Sequence, residues 1–378
     1  MSASVPSLLV IGLGGCGCRL AQETLRRHPG LPGLLLDTTA GDLPDPPAPS
    51  VLFGAKRLNG KGTGGQSSLG RDAFRDDLEE CIRGHIPAET RLAVILTGLG
   101  GGTGSGAAPE LVKALRARGV ATVCLATLPL GFEPESRRKT ADAIVSVLEG
   151  CADALIRIPL DDLLAGKGDW TLEEALGFVF GRVAEVAACF WKILTMPGFL
   201  ALDEPRLLQF LRTKGGGATL RVKSVSGSGR LDELEAWLNG DAQLGAAFGR
   251  AHSVLLGVVA GADLRLAEVG RTVEAVRKLK QSSAAMEFGT VLDVSAEGAL
   301  SVVLLLFESW SSSATQAQEA GGGDLRAEEP GKRGGRRRGG ASRGVSGAGR
   351  FRDVEPTFDG SVNLDVPAFR RRNCTLDY

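Results

Sequence analysis

The sequence has few of the residues that build metal centres and disulfide frameworks. Its 378 residues include only 3 histidines, which lie far apart, and 7 cysteines. The cysteines are an odd number, and they are scattered at positions 16, 18, 81, 124, 151, 189 and 374. This spacing matches neither a zinc site nor a set of disulfides. We therefore expect no metal site built from these side chains and no metal enzyme.

Net charge and long hydrophobic runs are also lacking. Lys+Arg and Asp+Glu both number 44, so the formal net charge is +0 and we expect no specific nucleic-acid partner. Apolar runs such as residues 8–11 and 302–307 are far shorter than the roughly 20 residues of a membrane span, so we expect no integral membrane segment. The first residues have no cationic region ahead of an apolar run, which favours a cytoplasmic protein over a secreted one.

Glycine, by contrast, is abundant, with 53 residues, and hydrophobic residues make up 43% of the chain, enough for a sizeable core. Short apolar runs predict buried strands at residues 7–11, 34–36, 92–96 and 121–127. Amphipathic segments predict helices at residues 19–27, 72–82, 107–118 and 136–149. Strands that alternate with helices in this way form a parallel sheet covered on both faces, so we expect an α/β fold.

The rest of the chain differs in pattern. Residues 170–194 predict one long helix, and the segments after it predict a smaller α+β unit with helices at 231–238 and 264–279 and strands at 253–259, 287–293 and 300–307. Residues 331–350 hold 8 Gly and 7 Lys or Arg and no acid. A segment of this composition cannot bury enough apolar surface to offset its ordering entropy, so we expect disorder over residues 311–360.

The first glycine loop has the spacing of a dinucleotide-binding turn. Gly12, Gly14 and Gly17 satisfy G-x-G-x-x-G after a predicted strand, and Asp37 lies 20 residues beyond Gly17. In that fingerprint the acid binds a ribose hydroxyl. Taken alone, this loop is consistent with an NAD-dependent oxidoreductase.

A second glycine loop spans residues 98–106. Its glycines alternate with two hydroxyl residues, Thr103 and Ser105, and a helix is expected to follow. Such a loop turns its backbone N–H groups inward around phosphate oxygens, and the helix adds its positive end. A dinucleotide-binding domain has no use for a second phosphate cradle. No G-x-x-x-x-G-K-[ST] motif occurs, so a Walker-type site is excluded.

The run Gly-Gly-Gly-Thr-Gly-Ser-Gly after an apolar strand resembles the signature of the tubulin/FtsZ superfamily, and the chain is similar to bacterial FtsZ from about residue 8 to residue 307. Further matching segments lie, in order, at residues 57–74, 132–137, 158–164, 197–203 and 260–266. The resemblance implies a parallel-sheet nucleotide-binding domain, a long central helix and a smaller α+β C-terminal domain. It also implies a GTP-binding protein that polymerises head to tail into cell-division filaments and hydrolyses GTP at the subunit junction.

The resemblance also assigns the contacts to GTP by position. Residues that would line its phosphates are Gly14, Gly15, Gly17, Gly62, Gly64, Gly101, Gly102, Thr103, Gly104 and Ser105. Glu133 and Arg137 would reach the ribose, with ordinary surface charges as the alternative. Whether Mg²⁺ binds together with the GTP is left open.

The catalytic loop departs from the family pattern. In the family, two acids in an Asn-x-Asp-x-x-Asp pattern orient the attacking water at the γ-phosphate of the neighbouring subunit. Asp203 keeps the first acid and is the candidate catalytic residue, whereas the second acid is replaced by Arg206, which cannot accept a proton. Arg206 could instead hold the phosphate, and Glu204 is a poorly placed substitute acid. The resemblance therefore predicts weakened hydrolysis.

The base-reading positions depart as well. The family stacks guanine on an aromatic residue of the long helix and reads its edge with an Asn-Asp pair, where this chain has Leu176, Phe180 and Gly181. A base edge without its hydrogen-bond partners is discriminated less sharply. Phe180 is either a core residue or a different stacking surface, so the base preference is left open.

The C-terminal segment resembles the FtsZ peptide that docks membrane tethers and regulators. Asp365, Pro367 and Phe369 match its pattern, and Phe369 would be an apolar anchor. The implied partners are further copies of this chain or an ordinary FtsZ, together with membrane-tethering or regulatory division proteins, at the division site. The arginine and glycine run before the peptide predicts a solvated spacer.

The expected domains are a GTP-binding domain at 1–168, a central helix at 169–195, an α+β domain at 196–310 that carries the catalytic loop, a linker at 311–360 and a docking peptide at 361–378. Two further functions stay open besides an impaired GTPase. One is a filament scaffold or regulator that does not hydrolyse nucleotide and co-assembles with an ordinary FtsZ. The other is the NAD-dependent oxidoreductase.

Overall fold

The computed structural model describes residues 8–42, 48–195, 204–214, 216–293, 296–308, 358–359 and 362–363. It divides the chain into two units, residues 1–323 and 324–378. In the second unit, the short strands Phe358–Asp359 and Val362–Asn363 pair antiparallel. Most of the predicted linker lies outside the described residues, and so do Asp365, Pro367 and Phe369 of the predicted docking peptide.

The first unit contains a sheet of ten strands. In chain order these are β1 (Leu8–Leu13), β2 (Gly33–Asp37), β3 (Ser50–Leu52), β4 (Leu92–Gly98), β5 (Ala121–Leu128), β6 (Ala154–Pro159), β7 (Gly217–Ser226), β8 (Ala251–Ala260), β9 (Ala285–Leu292) and β10 (Ala299–Glu308). Their spatial order is β3-β2-β1-β4-β5-β6-β7-β10-β8-β9. Strands distant in sequence therefore lie side by side.

Twelve α-helices accompany these strands among the described residues of the first unit. They are α1 (Gly14–Arg27), α2 (Ala55–Leu58), α3 (Ser67–Asp76), α4 (Leu78–Ile82), α5 (Thr103–Ala117), α6 (Glu135–Glu149), α7 (Leu160–Leu163), α8 (Leu172–Thr195), α9 (Glu204–Lys214), α10 (Arg230–Gly240), α11 (Ala242–Arg250) and α12 (Leu266–Leu279). No described helix is both long enough and apolar enough to cross a membrane.

The strands from β3 to β6 are all parallel, as expected from the sequence. Side chains of β1 alternate between two cores: Leu8 and Val10 pack with α1 and α8, whereas Leu9 and Ile11 pack with α3 and α5. Each core buries one face of the sheet, which explains why these strands are apolar at every position. The predicted α/β fold is confirmed.

The other end of the sheet is mixed. β10 runs antiparallel to β7 and β8, whereas β8 and β9 are parallel. Helices α10, α11 and α12 pack on one face of these strands around a separate core. The two ends of the sheet meet where Leu155 and Ile156 of β6 pair with Gly217 and Ala218 of β7. The sheet therefore continues across the predicted domain boundary at residues 168–196, and the division into domains stays a prediction.

The structure corrects several predicted elements. The helices after the glycine loops begin within the loops, at Gly14 and Thr103 rather than at residues 19 and 107. These first turns were not predicted as helix because glycine has a low helix propensity. Without side chains, the same glycines can pack closely against neighbouring elements. The helix predicted at 72–82 is two helices, α3 and α4. Residues 204–214, for which no element was predicted, form α9 with Leu207 and Leu211 buried.

Candidate nucleotide-binding site

The predicted phosphate loops lie at one edge of the sheet. β2, β1, β4 and β5 are neighbours and run parallel, so their carboxyl ends lie side by side. The first glycine loop follows β1, the second follows β4, and the segment with Glu133 follows β5. Ligands of open α/β sheets bind outside the carboxyl ends of the strands. The fold therefore brings loops from distant parts of the sequence to one candidate site.

The two glycine loops touch each other at Gly14 and Gly104. Gly14 has a φ of +72°, and a Cβ added there would lie 2.8 Å from the backbone nitrogen of Gly104. Gly104 is equally confined, because its Cβ would lie 2.6 Å from Thr97 Oγ1. These residues stand in the first turns of α1 and α5. Two helix N-termini, each with a partial positive charge, thus converge on one place.

Other glycines of the motifs serve close packing. A Cβ on Gly17 would collide with the carbonyl oxygen of Leu96 on β4, and one on Gly102 would collide with Thr63 Oγ1. Gly17 therefore lies on the sheet side of α1, and Gly102 lies against the loop before α3. Contacts of these two residues with phosphate stay a prediction.

Three threonine hydroxyls join the loops around α5. Thr103 Oγ1 lies 2.8 Å from Thr38 Oγ1, which follows β2, and 3.4 Å from Thr63 Oγ1. Thr38 and Thr63 are buried. No local sequence pattern predicted this cluster, because Thr38 and Thr63 are 65 and 40 positions from Thr103. The hydroxyls hold the loops after β2 and β4 and the loop before α3 in one arrangement.

Ser105 has a supporting role within the second loop. Its side chain is fully buried, and its Oγ accepts a hydrogen bond of 2.9 Å from the backbone N–H of Gly100. This bond folds the loop back onto the first turn of α5. Ser105 therefore shapes the loop in this structure, and a direct contact between its hydroxyl and phosphate stays a prediction.

An ion pair fastens the helices behind the two loops. Arg75 of α3 donates to both carboxylate oxygens of Glu110 on α5, at 2.9 and 3.1 Å. These hydrogen bonds hold the pKa of Glu110 below its ordinary value of 4.5. The pair keeps the loop that carries Gly62 and Gly64 beside the second glycine loop.

Two glycines of the predicted phosphate loops, Gly101 and Gly64, have open space beside them. A Cβ on Gly101 or on Gly64 would meet no atom within 4 Å. Neither α1 nor α5 begins with a side-chain cap, and the first N–H groups of a helix have no acceptor within it. N–H groups that lack a helical acceptor at two converging helix ends suit the oxygens of a polyphosphate. The residues present therefore fit the phosphates of a nucleotide.

Glu133 and Arg137 lie beside the second loop. Arg137 Nη1 donates to Glu133 Oε2 at 2.6 Å, and Glu133 Oε1 accepts from the N–H of Leu130 at 2.9 Å. A Cβ on Gly100 would lie 2.9 Å from the Arg137 carbonyl oxygen, so this segment touches the loop after β4. The carboxylate of Asp161 accepts from the N–H of Gly131 at 3.0 Å and fixes the segment from the other side.

The positions matched to the guanine-reading residues are apolar. Phe180 is half-buried against the core and forms an apolar stripe along α8 with the exposed Leu172 and Leu176. Arg27 fills the place beside Gly181, where a Cβ would lie 2.8 Å from Nη1. The sequence offered Phe180 as a core residue or as a stacking surface. The structure packs Phe180 partly against the core, and a stacking contact with a base stays a prediction.

The structure describes only part of the predicted catalytic loop. Asp203 lies outside the described residues. Arg206, in the first turn of α9, has Nη2 at 3.2 Å from both carboxylate oxygens of Glu287 on β9. The cation that replaces the second acid is therefore held by a carboxylate of its own subunit. Sequence reasoning missed Glu287, since 81 positions separate it from Arg206.

Asp37 does not suit the dinucleotide alternative. Its residue is 1% exposed, and Oδ1 accepts a hydrogen bond of 2.7 Å from the N–H of Thr38. An acid that binds a ribose needs its carboxylate in an open cleft. Asp37, the acid on which the oxidoreductase hypothesis partly rested, is thus a buried residue at the end of β2.

Metal ligands are not grouped at this edge. In the part of the chain that the structure describes, no cluster of His, Cys, Asp and Glu could hold a metal ion. Mg²⁺ bound here would take most of its oxygen ligands from phosphates and water, as it commonly does in nucleotide sites.

A parallel sheet with converging phosphate loops at its carboxyl edge defines a nucleotide-binding α/β protein. Residues 7–166 match the model of the Tubulin/FtsZ family, GTPase domain. Residues 7–166 are therefore a GTPase domain of the tubulin/FtsZ superfamily, which confirms the resemblance in their motifs.

Several relatives of the chain are named as proteins of mitochondrial or cell division. It is 29% identical over 307 residues to the mitochondrial division protein fszA of Dictyostelium discoideum, covering 80% of this chain and 58% of that protein. It is 29% identical over 303 residues to the cell division protein FtsZ of Bartonella bacilliformis, covering 79% and 50%. The match thus spans about half the length of these relatives.

Solved structures share the fold. An empty FtsZ dimer from M. jannaschii superposes with a TM-score of 0.73 at 24% identity, covering 81% of this chain and 89% of that one. CetZ2 from Haloferax volcanii, in a GTPγS-bound protofilament, superposes with a TM-score of 0.64 at 23% identity, covering 83% and 98%. At these identities the likeness establishes the fold.

Proposed function

We propose that the chain is an FtsZ-like GTP-binding protein that assembles head to tail into cytoskeletal filaments in cell division and hydrolyses GTP weakly at the junction between subunits. The observation that carries the proposal is the contact between Gly14 and Gly104, which joins two helix N-termini at the carboxyl edge of the sheet. Membership of a GTPase family and relatives named for cell division support it.

In this proposal the chain's own groups divide the work. First-turn N–H groups of α1 and α5 bind the phosphates, with Gly101 and Gly64 leaving room for them. Thr38, Thr63 and Thr103 hold the loops in place. Glu133 and Arg137 bind the ribose, and Phe180 lies beside the base. GTP supplies the phosphoanhydride bond whose cleavage destabilises the junction.

Weak hydrolysis follows from the residues at the predicted catalytic loop, Asp203 and Arg206. Asp203 would orient the attacking water alone, because Arg206 cannot act as a base and its charge is held by Glu287. The same ion pair favours a second candidate function, a filament scaffold that binds GTP without turnover and co-assembles with an ordinary FtsZ. In either case we propose a cytoplasmic location at the division site, with residues 361–378 as the docking peptide for tethers or regulators.

Co-sedimentation of the purified chain with GTP, GDP or ATP tests the proposal, with bound nucleotide and released phosphate measured in the same pellet. We expect GTP-dependent pelleting with slow phosphate release. Pelleting without phosphate release would favour the scaffold function. If no nucleotide bound and none changed the pelleted fraction, the proposal would be wrong.

A further inference from the structure

A cleft of about 600 Å³ opens where β6 and β7 part. The two strands pair only at Leu155 with Gly217 and at Ile156 with Ala218, although both continue beyond these pairs. The lining includes the continuations of both strands, such as Ile158 and Leu220. Cavities of this size commonly bind small organic ligands. The cleft shares no residue with the phosphate cradle proposed above.

Helices on both faces of the sheet contribute to the lining. Val183 and Val186 of α8 belong to the core on one face, and Ala247 of α11 belongs to the core on the other. With Ile156, Ile158 and other apolar neighbours they give the cleft an apolar floor. A ligand here would contact the parallel part of the sheet, the mixed part and the central helix α8 together.

The charged residues of the lining are nearly all cations. Four different elements each contribute one arginine, namely Arg157 of β6, Arg182 of α8, Arg221 of β7 and Arg250 of α11. Asp162 is the only acid among the described residues of the lining. An apolar floor surrounded by arginines is complementary to a molecule that has an apolar body and a negative head.

Three of these arginines already pair with carboxylates outside the lining. The pairs are Arg157 with Glu149 at 3.5 Å, Arg182 with Glu185 at 2.7 Å and Arg250 with Glu308 at 3.1 Å. Arg221 differs, since its hydrogen bonds go to neutral acceptors: the Leu220 carbonyl oxygen at 3.0 Å and Gln243 Oε1 at 3.4 Å. Among ion pairs between described residues, none includes Arg221, which is half-buried.

We propose that this cleft binds a small amphiphilic anion, which carries a carboxylate, sulfonate or phosphate-ester head on an apolar body. The head pairs with the Arg221 guanidinium, whose charge has no carboxylate partner among the described residues, and the body lies on the floor between Ile156 and Val186. Because the ligand bridges both parts of the sheet, its binding stabilises the folded chain. The site is independent of the proposed nucleotide function.

Two fluorescent probes separate the head from the body. The probes are 8-anilinonaphthalene-1-sulfonate and N-phenyl-1-naphthylamine, which share an apolar body and differ in the sulfonate. With the full chain, we expect saturable binding of the sulfonate at one site. Arg221→Gln should weaken it at least about tenfold, as expected for loss of a charge-assisted hydrogen bond. The neutral probe should bind the variant and the parent equally, and the exposed Arg277→Gln serves as the matched control.

A second variant tests the place without touching the arginine. Ala246 of α11 lines the cleft and is exposed, so Ala246→Trp should fold and should exclude the body of the sulfonate probe. The proposal is overturned if the parent binds both probes equally, or if the sulfonate affinity is unchanged in Ala246→Trp. It is also overturned if saturating GTP displaces the sulfonate, because the probe would then occupy the phosphate cradle.

Discussion

Arg206 of α9 lies against Glu287 of β9, with one guanidinium nitrogen 3.2 Å from both carboxylate oxygens. The pair is partly solvated, since the side chains are 61% and 28% exposed, so its own contribution to stability is small. Its consequence is chemical. By the resemblance, Arg206 takes the position of the family's second catalytic acid, and Glu287 keeps the arginine in place.

Replacing Arg206 by an acid should restore hydrolysis if this arginine is what weakens the proposed GTPase. We expect the double variant Arg206→Asp with Glu287→Gln to release phosphate from GTP at least about tenfold faster than the parent, because a positioned general base contributes about 10²–10⁴-fold. A phosphate-release assay under assembly conditions measures the effect. Glu287→Gln alone is the control and should give no gain in phosphate release. Rapid phosphate release by the parent chain would contradict the idea that Arg206 weakens hydrolysis.

Two glycines of the second loop should respond differently to alanine. Gly104→Ala places a Cβ 2.6 Å from Thr97 Oγ1 and should cost about 2 kcal/mol of stability through overpacking. Gly101→Ala meets no atom within 4 Å, so its melting temperature should be unchanged while its GTP affinity falls about tenfold. Thermal melts and nucleotide titration measure both. Undiminished affinity in Gly101→Ala would place the phosphates elsewhere.

The matched control for these variants is Gly245→Ala in α11. A Cβ at this helical position also meets no atom within 4 Å, and it lies away from the phosphate loops. Alanine is the better helix former by about 1 kcal/mol, so the variant should be slightly stabilised and bind GTP normally.

Removal of the Thr103 hydroxyl should loosen the loops around α5. Thr103→Val keeps the shape of the side chain but leaves Thr38 and Thr63 without the oxygen that they face. We expect a loss of about 1 kcal/mol in unfolding free energy and weaker GTP binding. Thr103→Ser keeps the hydroxyl and should stay close to the parent in denaturant unfolding and nucleotide titration. Equal behaviour of both variants would show that the hydroxyl cluster does not order the loops.

A buried arginine should stabilise the mixed part of the sheet. Arg230 Nε and Nη2 donate to the two carboxylate oxygens of Glu268 at 2.7 and 2.8 Å, and Nη1 donates to Asp263 at 2.7 Å. Arg230→Met would leave these acids without their cation, and we expect a loss of about 3 kcal/mol in urea unfolding. The exposed Arg277→Met should change the value by less than about 0.5 kcal/mol. A loss as small as that of the control would assign Arg230 a minor role.

The same network predicts a pH dependence. Hydrogen bonds from Arg230 hold the pKa of Glu268 below its ordinary value of 4.5. A carboxyl group with a lowered folded-state pKa contributes stability that is fully present above 4.5 and is lost as the pH falls through the lowered value. The unfolding free energy of Glu268→Gln should therefore fall less than that of the parent below pH 4.5, and parallel profiles would contradict this.

The sequence predicted the glycine loops well and the contacts between them poorly. The G-x-G-x-x-G spacing and the run around Thr103 follow strands whose apolar pattern is local, so loops and strands could be placed from neighbouring residues. The hydroxyl pair of Thr38 and Thr103 and the ion pair of Arg206 with Glu287 join residues 65 and 81 positions apart. No local pattern predicts which distant side chains will meet.

By itself, the sequence determined the alternation of strands and helices, the two glycine loops and the resemblance to the superfamily, because these depend on local spacing and on the short runs of glycine after the strands. Tertiary structure decided which glycines pack and which leave space, since Gly102 and Gly101 differ only in what lies beside them. It also decided that Arg206 is held by Glu287, and that β6 and β7 part to leave a cleft lined by four arginines. These features depend on the order of strands in space, which is not their order along the chain.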